Sequence, residues 1–295
     1  MGVSLTTLLQ GVTDGTLYPD IDVQGMTLNS RDVVDGDVFV ALKGGSQHGL
    51  AYAASAEKSG AVAILSDGEG VNTSDVKVPL ITIKELPASL GRIAAHLYDY
   101  SDQNLQIVGI TGTDGKTSVS HFLAQAINAS GESCSVIGTL GIGSPGALEA
   151  ATHTTPDVIS VHKNLQRLSK QDSGCVAMEV SSHALDQQRV AGVNFDVAVL
   201  TNLTRDHLDY HGTVEAYADA KAKLFLACQP KSAVINLNDA FGLRIADQLK
   251  QSGVTFYGYA IGDTSAFPSE TLVASNTRFD HKGMSADVSY QGEIY

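Results

Sequence analysis

Tryptophan is absent from the 295-residue chain, and cysteine occurs only three times, as Cys134, Cys175 and Cys228. These cysteines are far apart in the sequence and lack metal-ligand spacing, which excludes a disulfide framework and a zinc site. We expect buried, small apolar side chains in a reducing compartment. The chain also lacks a cationic N-terminal segment and any apolar run of the about 18 residues that cross a membrane. These absences predict a cytoplasmic protein without membrane insertion.

Basic residues are scarce, because 19 lysines and arginines stand against 32 aspartates and glutamates, for a net charge of −13. A surface this acidic repels nucleic-acid phosphates, and no basic patch interrupts it, so a nucleic-acid partner is excluded. A bound phosphate therefore requires a local binding site that offsets the negative charge of the surface. Apolar residues make up 43% of the chain, which excludes disorder, and the length indicates about two domains.

The order of predicted elements indicates an α/β fold. Residues 1–103 are typical of a small α/β domain, with strands at 36–42, 61–65 and 78–83 and helices at 50–59 and around 90–97. Residues 104–295 alternate strand and helix, which predicts a doubly wound, mostly parallel sheet followed by an antiparallel hairpin. Strands are predicted there at 107–110, 134–138, 175–180, 197–203, 233–237 and 254–259, and helices at 117–129, 156–170, 213–227 and 239–249.

The clearest motif is a glycine-rich turn between a buried strand and a helix, Ile107-Val-Gly-Ile-Thr-Gly-Thr-Asp-Gly-Lys-Thr-Ser118. Gly112 and Gly115 allow backbone N–H groups to approach an anion, and the following helix adds its positive end. Lys116 is expected to reach the outer phosphates, and the Thr117 hydroxyl to bind Mg²⁺. One position of the usual pattern carries isoleucine instead of glycine, and an ordinary strand–helix turn is the competing interpretation. The context favours a nucleoside triphosphate site.

Two further predicted strands bring polar residues to the same edge of the sheet. Glu179 lies at the end of the strand at 175–180, and His207 follows the strand at 197–203. Because ligands bind beyond the carboxyl ends of parallel strands, we expect both near Thr117, where they could hold or orient a metal ion. A strand-end glutamate or histidine is more often structural, but a phosphate loop on the same sheet favours the functional interpretation.

Two lysines, Lys221 and Lys223, lie on the predicted helix at 213–227. They cannot face the same way, since two residues span about 200° around a helix. From spacing alone, we interpret either of them as a solvated surface lysine.

Several motifs together resemble the Mur ligase superfamily. They are Thr111-Gly-Thr-Asp-Gly-Lys-Thr117, Thr154-Thr-Pro156, Met178-Glu-Val-Ser-Ser-His183 and Asn202-Leu-Thr-Arg-Asp-His-Leu-Asp-Tyr-His211. The chain is most similar to the UDP-N-acetylmuramoyl-L-alanyl-D-glutamate ligases, and the segments 26–31 and 36–41 resemble the uridine-nucleotide domain of that family. The resemblance covers the whole chain in order.

The resemblance implies an ATP-dependent carboxylate–amine ligase of peptidoglycan biosynthesis. Such an enzyme adds a diamino acid, such as meso-diaminopimelate or L-lysine, to UDP-N-acetylmuramoyl-L-alanyl-D-glutamate through an acyl phosphate. Its implied cofactors are ATP, Mg²⁺ and CO₂, and its implied partners are these small molecules alone, with the protein a monomer.

The resemblance also assigns roles to residues of this sequence. The implied catalytic residues are Lys116, Glu179, His207 and Lys221, with Lys221 carbamylated and with Thr117, Glu179, His207 and Lys221 around the metal. The implied ATP contacts are Gly112, Thr113, Asp114, Gly115, Lys116, Thr117, Ser118, Asn236 and Asp239. The implied UDP-substrate contacts are Leu28, Ser30, Gly45, Ser46, Gln47, His153, Thr154, Thr155, Ser181, Gln187 and Arg189.

This sequence departs from the family pattern in three ways. Asp114 and His153 each stand where asparagine is common. A carboxylate near the phosphates weakens nucleotide binding unless a cation neutralises it. The family also has a third domain that selects the amino acid, and we expect this chain to end before it.

Two other interpretations stay open. The chain could belong to a folylpolyglutamate-type ligase, against which the segment Leu28-Asn-Ser-Arg31 argues. It could also be a non-catalytic nucleotide-binding module, against which the intact candidate residues argue.

Overall fold

A computed structural model describes residues 2–14, 17–45, 47–68, 74–100, 104–281 and 283–295. The chain divides into two compact units. The first contains the described residues among 1–102 together with Asp157–Arg167 and Gln188–Val193, and the second contains the remainder. Two short segments that the sequence analysis placed in the second domain thus pack with the first unit.

The first unit is built around a small parallel sheet. Over the described residues, its strands are β1 (Val3–Ser4), β2 (Asp22–Val23), β3 (Gly25–Thr27), β4 (Asp37–Ala41), β5 (Ala63–Ser66) and β6 (Leu80–Thr82), and its helices are α1 (Leu5–Leu8), α2 (Ala53–Lys58) and α3 (Leu86–Leu97). Strands β3, β4, β5 and β6 pair in that order, all parallel, and β1 pairs with β2. Apolar side chains of β4 and α3, such as Val38, Val40, Leu90 and Ile93, share one core because they recur at strand and helix spacing.

The second unit contains a much larger sheet. Its described strands are β7 (Gln106–Thr111), β8 (Cys134–Gly138), β9 (Gly141–Ser144), β10 (Ala147–Glu149), β11 (Cys175–Glu179), β12 (Val197–Leu200), β13 (Ser232–Asn236), β14 (Thr255–Ile261), β15 (Leu272–Asp280), β16 (Gly283–Tyr290) and β17 (Glu293–Ile294). Its helices are α4 (Lys116–Ala129), α6 (Ser182–Asp186), α7 (Leu208–His211), α8 (Val214–Leu226) and α9 (Ala240–Ser252), while α5 (Val158–Lys170) has residues in both units.

The strand order of the large sheet is β10-β9-β8-β11-β7-β12-β13-β14-β15-β16-β17. Neighbours from β8 to β15 are parallel, and both ends of the sheet are antiparallel. The predicted doubly wound, mostly parallel sheet is therefore confirmed. Strand β7 lies between β11 and β12, and the strand order runs in opposite directions on its two sides. Such a reversal of strand order opens a crevice at the carboxyl edge of the sheet.

Most predicted elements of the second unit are confirmed to within a few residues, with two notable differences. Strand β12 ends at Leu200 rather than at 203, because the residues that follow turn to contact the loop after β7. Helix α5 begins at Val158 rather than at 156, and the Asp157 carboxylate accepts from the backbone N–H of Ile159 at 3.0 Å. A side chain that satisfies a free N–H at a helix start in this way defines a cap.

The expected burial of the cysteines is confirmed for Cys134 and Cys175 and is wrong for Cys228. Cys134 and Cys175 are far apart in sequence, yet they are register partners on β8 and β11, and both are buried. Parallel pairing joins distant segments, so sequence separation did not reveal this contact. Cys228, on the other hand, is only half-buried.

None of the helices in the described ranges combines the length and the apolar composition needed to cross a bilayer.

Candidate active site

The loop between β7 and α4 has a backbone shape that depends on glycine. Gly112 and Gly115 have φ values of 151° and 82°, in the region that favours glycine. A Cβ on Gly112 would lie 1.8 Å from Thr201 Oγ1, so a side chain there would collide with the residue after β12. The first N–H groups of α4 have no side-chain cap, since the cap residue is Gly115. Uncapped N–H groups at the start of a long helix suit an anion.

Lys116 folds back over this loop. Its Nζ donates to the carbonyl oxygens of Gly112 and Thr113, each at 2.8 Å. Burial lowers the pKa of Lys116, and the carboxylates of Glu179 and Asp114 oppose that shift. The ammonium therefore lies at the loop, where phosphate oxygens can replace the two carbonyl acceptors.

The residues after β12 hold the loop from outside, and the sequence analysis missed this role. Thr201 Oγ1 donates to the Asp114 carbonyl oxygen at 2.7 Å, and the Asp114 N–H donates to Asn202 Oδ1 at 3.0 Å. The Thr113 N–H donates to the Asn202 carbonyl oxygen at 2.9 Å. The backbone of Asp114 thus makes the contacts within the loop, and Asp114 is exposed to solvent. Ser118, on the first turn of α4, is also exposed.

Glu179, at the end of β11, is a fully buried carboxylate with three donors. Thr117 Oγ1 donates to its Oε2 at 2.9 Å, as does Thr139 Oγ1 at 3.1 Å, and the Thr139 N–H donates to its Oε1 at 3.0 Å. The proximity of Thr117 and Glu179 that the sequence predicted is therefore present in the structure. Thr139 was missed, because nothing in the pattern around it marks a function.

The chemistry of this pair fits magnesium. Among the described residues, no cluster of three or more His, Cys, Asp or Glu side chains is placed to hold a metal ion. Mg²⁺ does not require such a cluster, since it takes one or two protein oxygens together with phosphate oxygens and waters. The Thr117 hydroxyl and the Glu179 carboxylate supply oxygens of that kind beside the phosphate loop.

His207 lies in a different set of contacts. Its ring packs edge-on against His183 with centroids 4.8 Å apart, and its Nε2 is 3.3 Å from Asp206 Oδ2. Neither contact involves Thr117 or Glu179. The ring of Tyr217 lies 6.1 Å from that of His207, which places His207 on the α8 side of the loop.

Lys221 is not a solvated surface lysine, so the interpretation from spacing is wrong for it. The residue is 1% exposed, because α8 packs this face against β7. Its Nζ donates to the Gly112 carbonyl oxygen at 2.7 Å and lies 4.5 Å from the centre of the Tyr217 ring. Burial, and then the charge of Lys116, lower the pKa of Lys221 to about 7.

Lys223 points away from Lys221, as the helical spacing predicted, and forms a half-exposed ion pair with Asp186 at 2.8 Å.

Tyr217 is a further residue that the sequence analysis missed. Its side chain is 1% exposed, and its hydroxyl is 3.1 Å from Thr113 Oγ1. One tyrosine therefore touches both the phosphate loop, through its hydroxyl, and the buried ammonium of Lys221, through its ring.

The two residues expected near the adenine have structural contacts. Asn236 Nδ2 donates to the Thr201 carbonyl oxygen at 2.7 Å. The Asp239 carboxylate caps α9 and accepts from the Leu203 N–H. Both lie at the carboxyl edge beside the loop-supporting residues, and their contact with ATP stays a prediction.

The predicted UDP-substrate residues of the second unit are His153, Thr154, Thr155, Ser181 and Gln187. Thr154 Oγ1 lies 3.0 Å from Thr139 Oγ1, and the buried Thr155 donates to the Glu179 carbonyl oxygen at 2.8 Å. Ser181 caps α6, and Gln187 Nε2 donates to a tyrosine hydroxyl at 3.1 Å. His153 Nδ1 lies 3.1 Å from the hydroxyl of its neighbour Thr152.

The other predicted substrate residues belong to the first unit. Leu28, Ser30 and Gln47 line one cavity of about 360 Å³ beside β4, and Gly45 lies on the segment between them. Ser46 falls outside the described residues. Arg189 is half-buried and belongs to the segment 188–193 of the same unit.

Comparison with known proteins decides the family. The Mur ligase middle domain matches residues 110–295, and the domain described as the Mur ligase family, catalytic domain, matches residues 22–98. The chain belongs to the Mur ligase family.

Individual Mur ligases are also similar. UDP-N-acetylmuramoyl-L-alanyl-D-glutamate–2,6-diaminopimelate ligase of Pseudomonas aeruginosa is 47% identical over 270 residues, covering 90% of this chain and 54% of that protein. The ligase of the same name from Ectopseudomonas mendocina is 45% identical over 287 residues, covering 97% of this chain and 57% of that protein. A solved structure of a ligase with this name has a TM-score of 0.84 at 30% identity, covering all of this chain and 59% of that chain. The chain spans about half the length of the curated relatives it matches.

Proposed function

We propose that this chain forms the nucleotide-binding and UDP-substrate-binding parts of an ATP-dependent ligase of peptidoglycan biosynthesis. The reaction joins a diamino acid to UDP-N-acetylmuramoyl-L-alanyl-D-glutamate. The observation that carries the proposal is the phosphate loop whose Thr117 hydroxyl bonds the buried Glu179 carboxylate. The printed names of the similar ligases support 2,6-diaminopimelate as the amino acid.

The central problem of this reaction is electrostatic, since a substrate carboxylate must approach the γ-phosphate of ATP. The chain opposes that repulsion with the ammonium of Lys116 and the uncapped N–H groups of α4. Mg²⁺ supplies neutralisation of the phosphate charge when it is bound, and Thr117 and Glu179 are the residues that would hold it. Alignment follows from the loop, which Thr201 and Asn202 fix from outside.

Lys221 is the proposed site of carbamylation. CO₂ combines with a neutral amine, and the lowered pKa of Lys221, about 7, keeps a neutral fraction available near physiological pH. Its burial beside Gly112 restricts water access to the product. The carbamate is an anion, so it would help to place Mg²⁺, together with His207.

The remaining predictions concern substrate contacts and setting. The cavity of about 360 Å³ that contains Leu28, Ser30 and Gln47 supports binding of the uridine nucleotide in the first unit. A cytoplasmic location, a monomeric state and small molecules as the only partners stay predictions.

Substrate-dependent ATP hydrolysis and ligation, measured in the protein encoded by the complete reading frame, test the proposal. We expect product only when MgATP, the UDP-muramoyl dipeptide and the diamino acid are all present. Turnover with a folate and glutamate instead would favour the folylpolyglutamate-type alternative. Nucleotide binding without any turnover would favour the non-catalytic module.

A further inference from the structure

Thr139 lies between the proposed metal carboxylate and a predicted substrate contact. Its Oγ1 is 3.1 Å from Glu179 Oε2 on one side and 3.0 Å from Thr154 Oγ1 on the other. Its N–H donates to the second oxygen of Glu179 at 3.0 Å. A Cβ on Gly138 would lie 2.1 Å from Glu179 Oε1, so only glycine permits this approach. Thr139 is thus a bridge held at a fixed place on the sheet edge.

The direction of the hydrogen bonds in this bridge can be deduced. A threonine hydroxyl has one proton to donate, and an ionised carboxylate only accepts. Thr139 donates its single proton to Glu179, so Thr154 must donate to Thr139. The hydroxyl proton of Thr154 is therefore used inside the protein, and Thr154 offers only lone pairs to a bound molecule.

We propose that Thr139 is a positioning residue that links Glu179 to Thr154, and that Thr154 recognises a hydrogen-bond donor of the substrate, its peptide N–H. A substrate carboxylate would meet only lone pairs at this position and would be repelled. The inference rests on the proposed function, which supplies a UDP-linked peptide as the ligand.

The bridge also connects two binding events. When a peptide N–H donates to Thr154, the hydrogen bond from Thr154 to Thr139 becomes stronger, because hydrogen bonds in a chain polarise one another. The hydrogen bond from Thr139 to the Glu179 carboxylate then becomes stronger as well. A carboxylate that accepts a stronger hydrogen bond has less electron density for a metal ion, so peptide and MgATP should each lower the affinity of the other through this bridge.

The test uses calorimetric titration of UDP-N-acetylmuramoyl-L-alanyl-D-glutamate, with and without a non-hydrolysable MgATP analogue. Thr139→Val removes the hydroxyl but keeps the branched shape and the N–H bond to Glu179, and Thr139→Ser keeps the hydroxyl. Thr255→Val is the matched control, because Thr255, like Thr139, is an exposed threonine of the second unit and lies at the start of β14, outside the proposed site. Melting temperatures of all variants report on folding.

We expect Thr139→Val and Thr154→Val each to weaken peptide binding by about tenfold, which is typical for loss of a hydrogen bond to a charged network. The double variant should be no weaker than either single one, because both changes break the same chain. Thr139→Ser should restore affinity, and the mutual weakening of peptide and MgATP binding should disappear in Thr139→Val. Losses of affinity that multiply in the double valine variant, or an unchanged coupling to MgATP in Thr139→Val, would overturn the proposal.

A substrate analogue tests the donor directly. Replacing the alanyl–glutamate amide by an ester removes one N–H, and we expect it to bind about tenfold more weakly to the unchanged protein and equally to Thr154→Val. An equal loss in both proteins would overturn the recognition by Thr154. No binding of the normal substrate to the unchanged protein would reject the proposed function itself, whereas binding that ignores Thr139 would reject only the bridge.

Discussion

The carboxyl edge of the large sheet and the cavity of the first unit are two candidate binding regions with opposite construction. At the sheet edge, the charged residues Glu179 and Lys221 are 0% and 1% exposed. Glu179 accepts from the backbone N–H of Thr139, and Lys221 donates to the carbonyl oxygen of Gly112 in the phosphate loop. The cavity of about 360 Å³ in the first unit is lined by buried apolar residues such as Phe39 and by exposed residues such as Leu28, which is 37% exposed.

Buried charged residues and exposed cavity residues contribute to binding in different ways. Buried charges act strongly because the surrounding dielectric constant is low, but each must be held by several partners, so single changes there have large costs. Exposed residues in a cleft each contribute a small amount of binding free energy. The comparison therefore predicts steep losses at the sheet edge and shallow ones in the cavity.

The largest expected effect is that of Lys116→Met. Removing the ammonium that lies over the phosphate loop should lower turnover by about 1,000-fold or more, because charge neutralisation dominates this type of reaction. Steady-state kinetics of the complete protein measure it. Lys250→Met, at an exposed lysine of α9, is the control and should keep normal turnover. Unchanged turnover in Lys116→Met would reject the loop assignment.

Gly138→Ala should have the next largest effect. The added methyl group would lie 2.1 Å from Glu179 Oε1, so the carboxylate must move from Thr117 and Thr139. We expect about a 100-fold loss of turnover and about 1–3 kcal/mol of stability from overpacking. Gly131→Ala is the control for the loss of a glycine, because no atom lies within 4 Å of its added methyl group, although its positive φ adds local strain. Retained turnover in Gly138→Ala would show that Glu179 can act from another position.

Lys221→Met should change stability in a pH-dependent way. The pKa of about 7 in the folded protein lies below the ordinary 10.5, so the unfolded state binds more protons between these values. The buried ammonium costs most below pH 7, and that cost diminishes as pH rises through the window. Denaturant unfolding in CO₂-free buffer, where Lys221 carries no carbamate, should therefore show a gain on the order of 2 kcal/mol near pH 6 and a smaller gain near pH 10.

Lys223→Met provides the comparison, since the half-exposed pair with Asp186 is worth about 1 kcal/mol or less. A gain in Lys221→Met that is the same at both pH values would contradict the buried-ammonium account.

The smallest effect is expected for Ser30→Ala in the cavity. Loss of one half-buried hydroxyl should raise KM for the UDP-linked substrate about threefold and leave kcat unchanged, because uniform binding is weakened. Ser252→Ala, at the exposed end of α9, is the control. A loss as steep as that of Gly138→Ala would remove the distinction between the two regions.

The sequence predicted the sheet well because its strands are nearly continuous apolar runs separated by helices, as at Cys134–Gly138. The pairing of Thr117 with Glu179 was also predictable, since both follow from the rule that parallel strands present their carboxyl ends at one edge.

Contacts that depend on tertiary packing were not predictable. The burial of Lys221 comes from packing of α8 against β7, and helical spacing alone cannot show which face is covered. Thr139 follows a strand end without any motif, so its proposed role rests on its distances to Glu179 and Thr154 in the structure. The short helices α6 and α7 were missed as well, because elements of four or five residues leave no periodic signal.

The central claim is that the loop at 112–117 and the Glu179 carboxylate together bind a magnesium nucleotide. Calorimetric titration of MgATP into this chain, into Lys116→Met and into Glu179→Gln tests it most directly. We expect saturable one-to-one binding that Lys116→Met abolishes and that loses its magnesium dependence in Glu179→Gln. Equal binding by all three proteins, or no binding by the folded unchanged chain, would contradict it.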